Sequence, residues 1–351
     1  MEAKVFANQI INWYHHHKRD LPWRHTRDPY KIWLSEIILQ QTRVAQGKPY
    51  YEKFVNTYPT VFELAAASET EVLRLWQGLG YYSRARNLHA CAKMVVNEYE
   101  GRFPDTYDEL LKLKGVGKYT AAAIAAFAFD QPAAVVDGNV YRVLSRVFGI
   151  AEDIASTKGA KTFEKKAWSL VPETTAADYN QGIMEFGAIQ CTPKSPACAL
   201  CPFSLECYAY NHNAQDSLPV KLKKVKVRSR YFHYLVFKSG EQYWMKERGP
   251  KDVWQGLYDF EIYEGERALD TEAVLDAVPE SLRPHLVLAN ESAEYKHILT
   301  HQRIFARFYL LEAGEEAKGL MSSVLKPYSI KEIKALPKPV LIQKYLEDVI
   351  F

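Results

Sequence analysis

Long apolar runs are missing from this sequence. The longest stretch without a polar residue, Ala121 to Phe129, is far shorter than the ~20 residues needed to cross a bilayer, which excludes a helical membrane span. The opening MEAKVFANQIINWYHHHKRD mixes acid and base in an amphipathic pattern and lacks the apolar core of a secretory signal, so the expectation is a cytoplasmic protein. A charge excess is missing too. With 45 Lys and Arg against 42 Asp and Glu, the net +3 announces no polyanionic partner, although one face could still gather the basic residues. Cysteines number only five, but four of them, Cys191, Cys198, Cys201 and Cys207, fall close together. Cys91 lies apart on a helical segment and reads as a buried apolar residue. His15, His16 and His17 are consecutive, cannot share one helix face, and make no metal site. The 48% hydrophobic and 25% charged residues match a globular chain, and 351 residues correspond to two domains at ~150 residues each.

From Ala3 to about Tyr210 apolar residues recur at three- and four-residue spacing. This predicts helices near 3–18, 29–41, 43–57, 70–77, 84–99, 106–112, 118–130, 138–148, 161–170 and 178–190, an all-α half punctuated by Gly and Pro. Domain bounds of 1–214 and 231–351 follow, joined by a polar segment, 215–230, whose residues 221–230 carry six Lys or Arg and no acid. That run suits a solvated connector and also a phosphate backbone. Beyond it the pattern turns to strands rich in Tyr, Phe and Val at 231–237, 242–247, 256–263 and 303–312, with helices near 271–278 and 338–349: an α+β domain.

Three segments of the first half carry chemistry. Gly115-Val116-Gly117, before the Ala-rich run from Lys118, has the form of a helix–hairpin–helix, in which glycines permit a tight turn and leave amide N–H groups at a helix start for an anion such as DNA phosphate. The spacing alone also fits an ordinary helix connection. Asp137 follows an apolar run and precedes Gly138-Asn139-Val140, as an N-cap does; amide donors and the helix dipole there can hold a functional carboxylate ionised. Glu36 has Ile32, Trp33, Leu39 and Gln40 as its helical neighbours, so desolvation should raise its pKa, while Gln40, Gln41 and Thr42 make this helix too polar for plain core. Two carboxyls with divergent environments suit one general acid and one electrostatic partner.

SEIILQQTRV (35–44), LPWR (21–24), QGLGYYSRARNLH (77–89), LKGVGKYTA (113–121), VDGNVYRVLSR (136–146) and the Cys-x6-Cys-x2-Cys-x5-Cys cluster together resemble the adenine-specific branch of the helix–hairpin–helix DNA glycosylases. The resemblance covers the first ~210 residues in order, and the rest more loosely. It implies a monofunctional base-excision repair enzyme that removes adenine mispaired with 8-oxoguanine or guanine in double-stranded DNA, acting as a monomer that sits on the nucleoid when bound. It also implies roles: Glu36 as general acid and base on adenine N7, Asp137 stabilising the oxocarbenium-like sugar, Asn139 orienting that chemistry and Tyr119 lining the catalytic pocket. Trp23, Arg24, Leu39 and Gln181 would surround the flipped adenine, and Trp23 and Leu39 suit core positions as well. Gln41, Thr42, Tyr81, Gly115, Val116 and Gly117 would contact DNA. A sister branch uses a lysine where this chain has Tyr119, and Lys118 is displaced ~100° around a helix, which argues against a lyase.

The clustered cysteines, taken by themselves, allow disulfides, zinc or an iron–sulfur cluster. A cytoplasmic setting disfavours the first, and a single Cys-x2-Cys pair disfavours the second without excluding it. The resemblance implies a [4Fe–4S] cluster on loop 191–207. It also implies a Nudix-like fold for 231–351, read as non-hydrolysing because no Glu-rich pyrophosphatase helix lies between 256 and 290. In that domain Leu299-Thr300-His301 matches a lesion-recognition motif usually written Phe-Ser-His. The nearest rivals are a glycosylase for damaged pyrimidines and a DNA-binding sensor whose carboxylates are structural.

Overall fold

The computed structural model describes residues 1–222, 227–250, 252–321 and 323–351. The chain forms two compact units: 1–66 with 87–223, and 67–86 with 224–351.

The first unit is helical. Its core joins Phe6, Ile10 and Tyr14 of the helix Ala3–His17 to Tyr179 and Ile183 of Ala176–Glu185 and to Val140, Val143 and Leu144 of Gly138–Phe148. Local signals set the ends of these helices. Asp28 accepts from Tyr30 N at 3.0 Å and Pro29 takes the first position of Pro29–Leu39, while Gly149, in the left-handed region at φ 69°, closes Gly138–Phe148. The Ala-rich helix Lys118–Phe129 buries every residue from Thr120 to Ala128, because methyl side chains let it pack closely against Pro29–Leu39. Helix Ala176–Glu185 runs into a wider turn, Phe186–Gln190, that delivers Cys191.

Differences from the sequence expectation are local. A helix at Val61–Ala66 was not expected, the expected 161–170 helix is Thr157–Trp168, started by the Ser156 cap on Gly159 N, and the expected 106–112 helix is a single turn, Tyr107–Leu110. The polar connector is shorter than its sequence suggests. Leu218 is buried, Val220 O accepts from Ile154 N, and the first strand already begins at Arg228; residues 223–226 of the basic run lie outside the described residues.

The second unit is a mixed sheet of β1 (Arg228–Ser239), β2 (Gln242–Glu247), β3 (Tyr258–Asp259), β4 (Glu261–Gly265), β5 (Leu286–Glu291), β6 (Tyr295–Ile298), β7 (Gln302–Ala313) and β8 (Lys326–Ser329). The main order is β3-β2-β1-β7-β5, with β1 and β7 parallel from Arg228↔Gln302 to Lys238↔Glu312. β4 pairs with β1, β6 with β7 and β8 with β2. Six consecutive residues of β1 are buried because both faces are covered. On one, Leu235, Phe237, Tyr309 and Leu311 meet Val274 of the helix Thr271–Asp276; on the other, Tyr234, Phe308 and Tyr345 stack. The expected strand 256–263 is two, β3 and β4, broken at Phe260. Residues 67–86, including the capped helix Glu69–Trp76, belong to this unit, where Gln77 bonds Gln343 at 3.3 Å.

Candidate active site

Glu36 stands on the buried face of Pro29–Leu39 and is 6% exposed. Burial among apolar groups raises its carboxyl to about 7, helped by the nearby Asp137 charge, against the opposing pull of a hydrogen bond from Tyr119 and the charge of Arg24. It therefore holds its proton near neutrality. Tyr119 is half-buried, and its phenol is held well above its ordinary range by burial first and then by the charges of Glu36 and Asp137.

Glu36, Trp23, Arg24 and Gln181 line one cavity with Ile32, Ser35, Phe127 and Met184. Leu39 does not border it: its side chain lies over Gly47, where a Cβ would come within 2.8 Å of Leu39 Cδ2. The cavity holds about 40 Å³, little more than one water at ~30 Å³, so a purine enters only as its walls yield.

The wall around Arg24 was not legible as a set. Glu185, 1% exposed, takes Arg24 Nη2 and Arg19 Nη2 at 2.7 Å each, and these cations outweigh its burial and lower its carboxyl to about 2. Arg24 is thereby spent on Glu185 and the Arg19 carbonyl, and presents its charge more than free donors. Tyr14 donates to Gln181 Oε1 at 2.6 Å. The signal was the polar pair Gln181 and Glu185, four apart on one helix.

Asp137 is the N-cap expected. Its Oδ1 accepts from Asn139 N and Val140 N at 2.8 Å, and its Oδ2 from Asn139 Nδ2 at 2.7 Å. Burial nevertheless wins, and its pKa is raised, with those three donors and Arg142 opposing. The amides alone do not set its charge, contrary to the simple capping expectation. Asn139 is held in turn by Arg142 Nη2 at 2.9 Å. Lys118 points away, exposed and paired with Glu164 at 2.8 Å.

Gln41 is exposed with φ 52°, directly past the helix that carries Glu36. Thr42 donates to Gln40 O at 3.2 Å. Gly115 has φ 75°, Val116 is buried beneath the turn with its N–H on Leu113 O, and Gly117 opens Lys118–Phe129 without a side-chain cap, which leaves first-turn N–H groups for a ligand.

In the sheet unit, Tyr81 (φ 49°, 43% exposed) meets the Thr300 hydroxyl through its own. Both border a cavity of about 450 Å³ that also takes in Leu299 and His301. A tight turn, Leu299 N to Gln302 O at 2.8 Å, displays the three residues.

Cys191, Cys198, Cys201 and Cys207 are free, half-buried, and line one small cavity with Arg146 and Gln215. Burial pushes the Cys201 thiol up to about 12 and raises those of Cys191 and Cys207. Around the sulfurs stand donors: Arg146 Nη1 at 3.5 Å from Cys191, Gln215 Nε2 at 3.9 Å from Cys198, and backbone N–H groups at Cys201 and Cys207. Four thiols ringed by donors fit a thiolate-ligated metal group. Among the described residues no three His, Cys, Asp or Glu gather as a site for a single ion.

Residues 34–173 match the HhH-GPD superfamily of base excision DNA repair proteins and residues 233–348 the NUDIX domain. An adenine DNA glycosylase of Buchnera aphidicola (from Schizaphis graminum) is 37% identical over 74% of this chain and 75% of its own. That of Arabidopsis thaliana is 32% identical over 98% of this chain and 67% of its own. The chain belongs to the adenine DNA glycosylase family. Among solved structures, a thermostable thymine-DNA glycosylase is 37% identical with a TM-score of 0.56, and covers 60% of this chain and 97% of its own. Endonuclease III in a trapped DNA complex, 23% identical with a TM-score of 0.52, covers 61% of this chain and 99% of its own and shares the helical fold. Among the described residues no helix is long and apolar enough to cross a membrane.

Proposed function

We propose that this glycosylase hydrolyses the N-glycosidic bond of adenine opposite 8-oxoguanine or guanine in duplex DNA, with Glu36 as general acid. The observation that carries this reading is a buried carboxyl, its pKa raised to about 7, on the wall of a cavity shared with Trp23, Arg24 and Gln181. Glu36 gives its proton to adenine N7; the C1′–N9 bond breaks and its electron pair leaves with the base. Asp137, fixed by Asn139, faces the cationic sugar. Water then adds at C1′ and returns a proton to Glu36. With Tyr119 at the hairpin, and Lys118 exposed and paired with Glu164, neither position offers an amine for a Schiff base.

The hairpin amides and Gln41 would grip the DNA, and Tyr81 with Leu299, Thr300 and His301 would meet the opposite base. Support for the latter is the shared cavity and the contact between Tyr81 and Thr300. Cys191, Cys198, Cys201 and Cys207 would hold a [4Fe–4S] cluster, which when bound supplies a structural staple for the loop. Its test is composition: protein prepared without oxygen should be brown with about four irons per chain, and stoichiometric zinc without visible absorption overturns it.

The thymine-DNA glycosylase likeness makes thymine the competing base. It covers 60% of the chain, whereas the Arabidopsis adenine glycosylase match covers 98%. Base release should be measured on duplexes with A opposite 8-oxoguanine, A opposite guanine and T opposite guanine. Adenine should be released and thymine retained, with strand cleavage only after added alkali; thymine release, or cleavage with borohydride trapping, overturns the reading.

A further inference from the structure

Arg248 bonds Asp252, which borders the same cavity as Leu299, Thr300 and His301. It lies at the start of the turn between β2 and β3, with its side chain 8% exposed. Its Nη1 bonds Asp259 Oδ2 at 2.6 Å, and its Nε and Nη2 form a fork on Asp252. Asp252 Oδ1 also accepts from Trp254 N at 2.8 Å, and the guanidinium lies 5.5 Å from the Trp254 ring. Trp254, 3% exposed, packs edge to face on His297 at 5.7 Å, at the end of β6 where the Leu299 turn begins. From the other side Arg86 Nη1 bonds Gln255 O at 2.6 Å, tying the turn to the segment that carries Tyr81. Asp252, Trp254, His297, Tyr81 and Thr300 all border the 450 Å³ cavity.

We infer that Arg248 is a positioning residue for lesion discrimination, acting through the Asp252–Trp254 turn on the His297–His301 loop. This rests on the proposal that the loop reads 8-oxoguanine. The physical reason is the fork: a planar guanidinium on a carboxylate fixes orientation as well as distance, which an ammonium does not. Misplacing a base contact costs roughly ten- to a hundredfold in preference. The chemistry at Glu36 does not enter the device.

The test uses the full chain with Arg248→Lys, which keeps the charge and loses the fork, and Asp252→Asn, in case the lysine leaves Asp259 poorly paired and the unit unfolds. Adenine release at saturating enzyme and duplex affinity are measured opposite guanine and 8-oxoguanine, beside the double variant Thr300→Ala and His301→Ala. In both single variants the preference for 8-oxoguanine should fall about tenfold, with release opposite guanine within about twofold of wild type. Folded variants that keep the full preference, or lose affinity equally for both duplexes, overturn the inference while a narrowed preference in the double variant leaves the loop reading intact. If the double variant keeps the full preference, the loop reading falls and the inference with it.

Discussion

Glu36 in the helical unit and Asp259 in the sheet unit are both buried carboxylates, 6% and 0% exposed, and the two units treat them differently. Asp259 is given a guanidinium at 2.6 Å and the Tyr234 hydroxyl at 3.2 Å; burial still raises it to about 6, but its charge has a partner and its geometry organises a turn. Glu36 is given a neutral phenol, with Arg24 acting only through its charge, and burial raises it to about 7. Glu185 marks the far end of the range in the same helical unit: two guanidinium groups hold it at about 2. Asp259 and Glu185, each bonded to a guanidinium, fasten their surroundings, whereas Glu36, with a phenol in place of a bonded cation, is set to give up a proton.

The sharpest way to break that distinction is Glu36→Gln, which keeps the shape and removes the proton. Adenine release should drop by about a thousandfold or more, at the upper part of the ~10²–10⁴ range for general acid–base catalysis, while duplex binding persists. Near-normal single-turnover release by a folded variant sinks the assignment. Stability carries a second signature. Because the folded pKa of Glu36 lies above its ordinary value of 4.5, its contribution is fully present below about 4.5 and is lost as pH rises through about 7. Glu36→Gln cannot ionise, so urea melts at pH 5 and pH 8 should differ less for the variant than for the parent chain.

Asp137→Asn comes next in size. The amide oxygen still caps Asn139 N and Val140 N, but its NH2 faces the Asn139 NH2 where Oδ2 accepted at 2.7 Å. Loss of the carboxylate at the sugar should cost about a hundredfold in release, the scale of one electrostatic stabiliser in an acyl-transfer site. A cost under tenfold, ~1.4 kcal/mol of barrier, would make Asp137 a cap and nothing more.

Much of this was legible because local chemistry fixed it. The helix of Glu36 starts at Asp28-Pro29 and that of Asp137 at the Asp itself, and the apolar flank of Glu36 announced its raised pKa. What stayed hidden depends on distance or on weak patterning. Arg19 and Arg24 meet Glu185 across more than 160 residues of chain, so Arg24 read as a pocket residue without its partner. β5 is exposed over five of its six residues and has no apolar alternation to find, and the role of Arg248 appears only when β2 and β3 pair. For Asp137, the cap was readable and its burial was not, which is why the direction of its pKa came out opposite to the capping argument.

The smallest expected effect probes Tyr119, the neutral hydrogen-bond partner of Glu36 among the described residues. Tyr119 lowers the Glu36 pKa by its hydrogen bond, so Tyr119→Phe removes a group that favours the carboxylate and leaves burial and the Asp137 charge to raise it further. Since the acid form is the active one, the alkaline limb of the single-turnover pH profile should move to higher pH. The plateau rate should stay within about tenfold, because the proton donor remains and loses one hydrogen bond worth ~1 kcal/mol. The opposite shift, to lower pH, would mean that the phenol donates elsewhere and that Glu36 owes its proton to Asp137. An unmoved limb with a lowered plateau would place Tyr119 against the substrate and out of the proton balance.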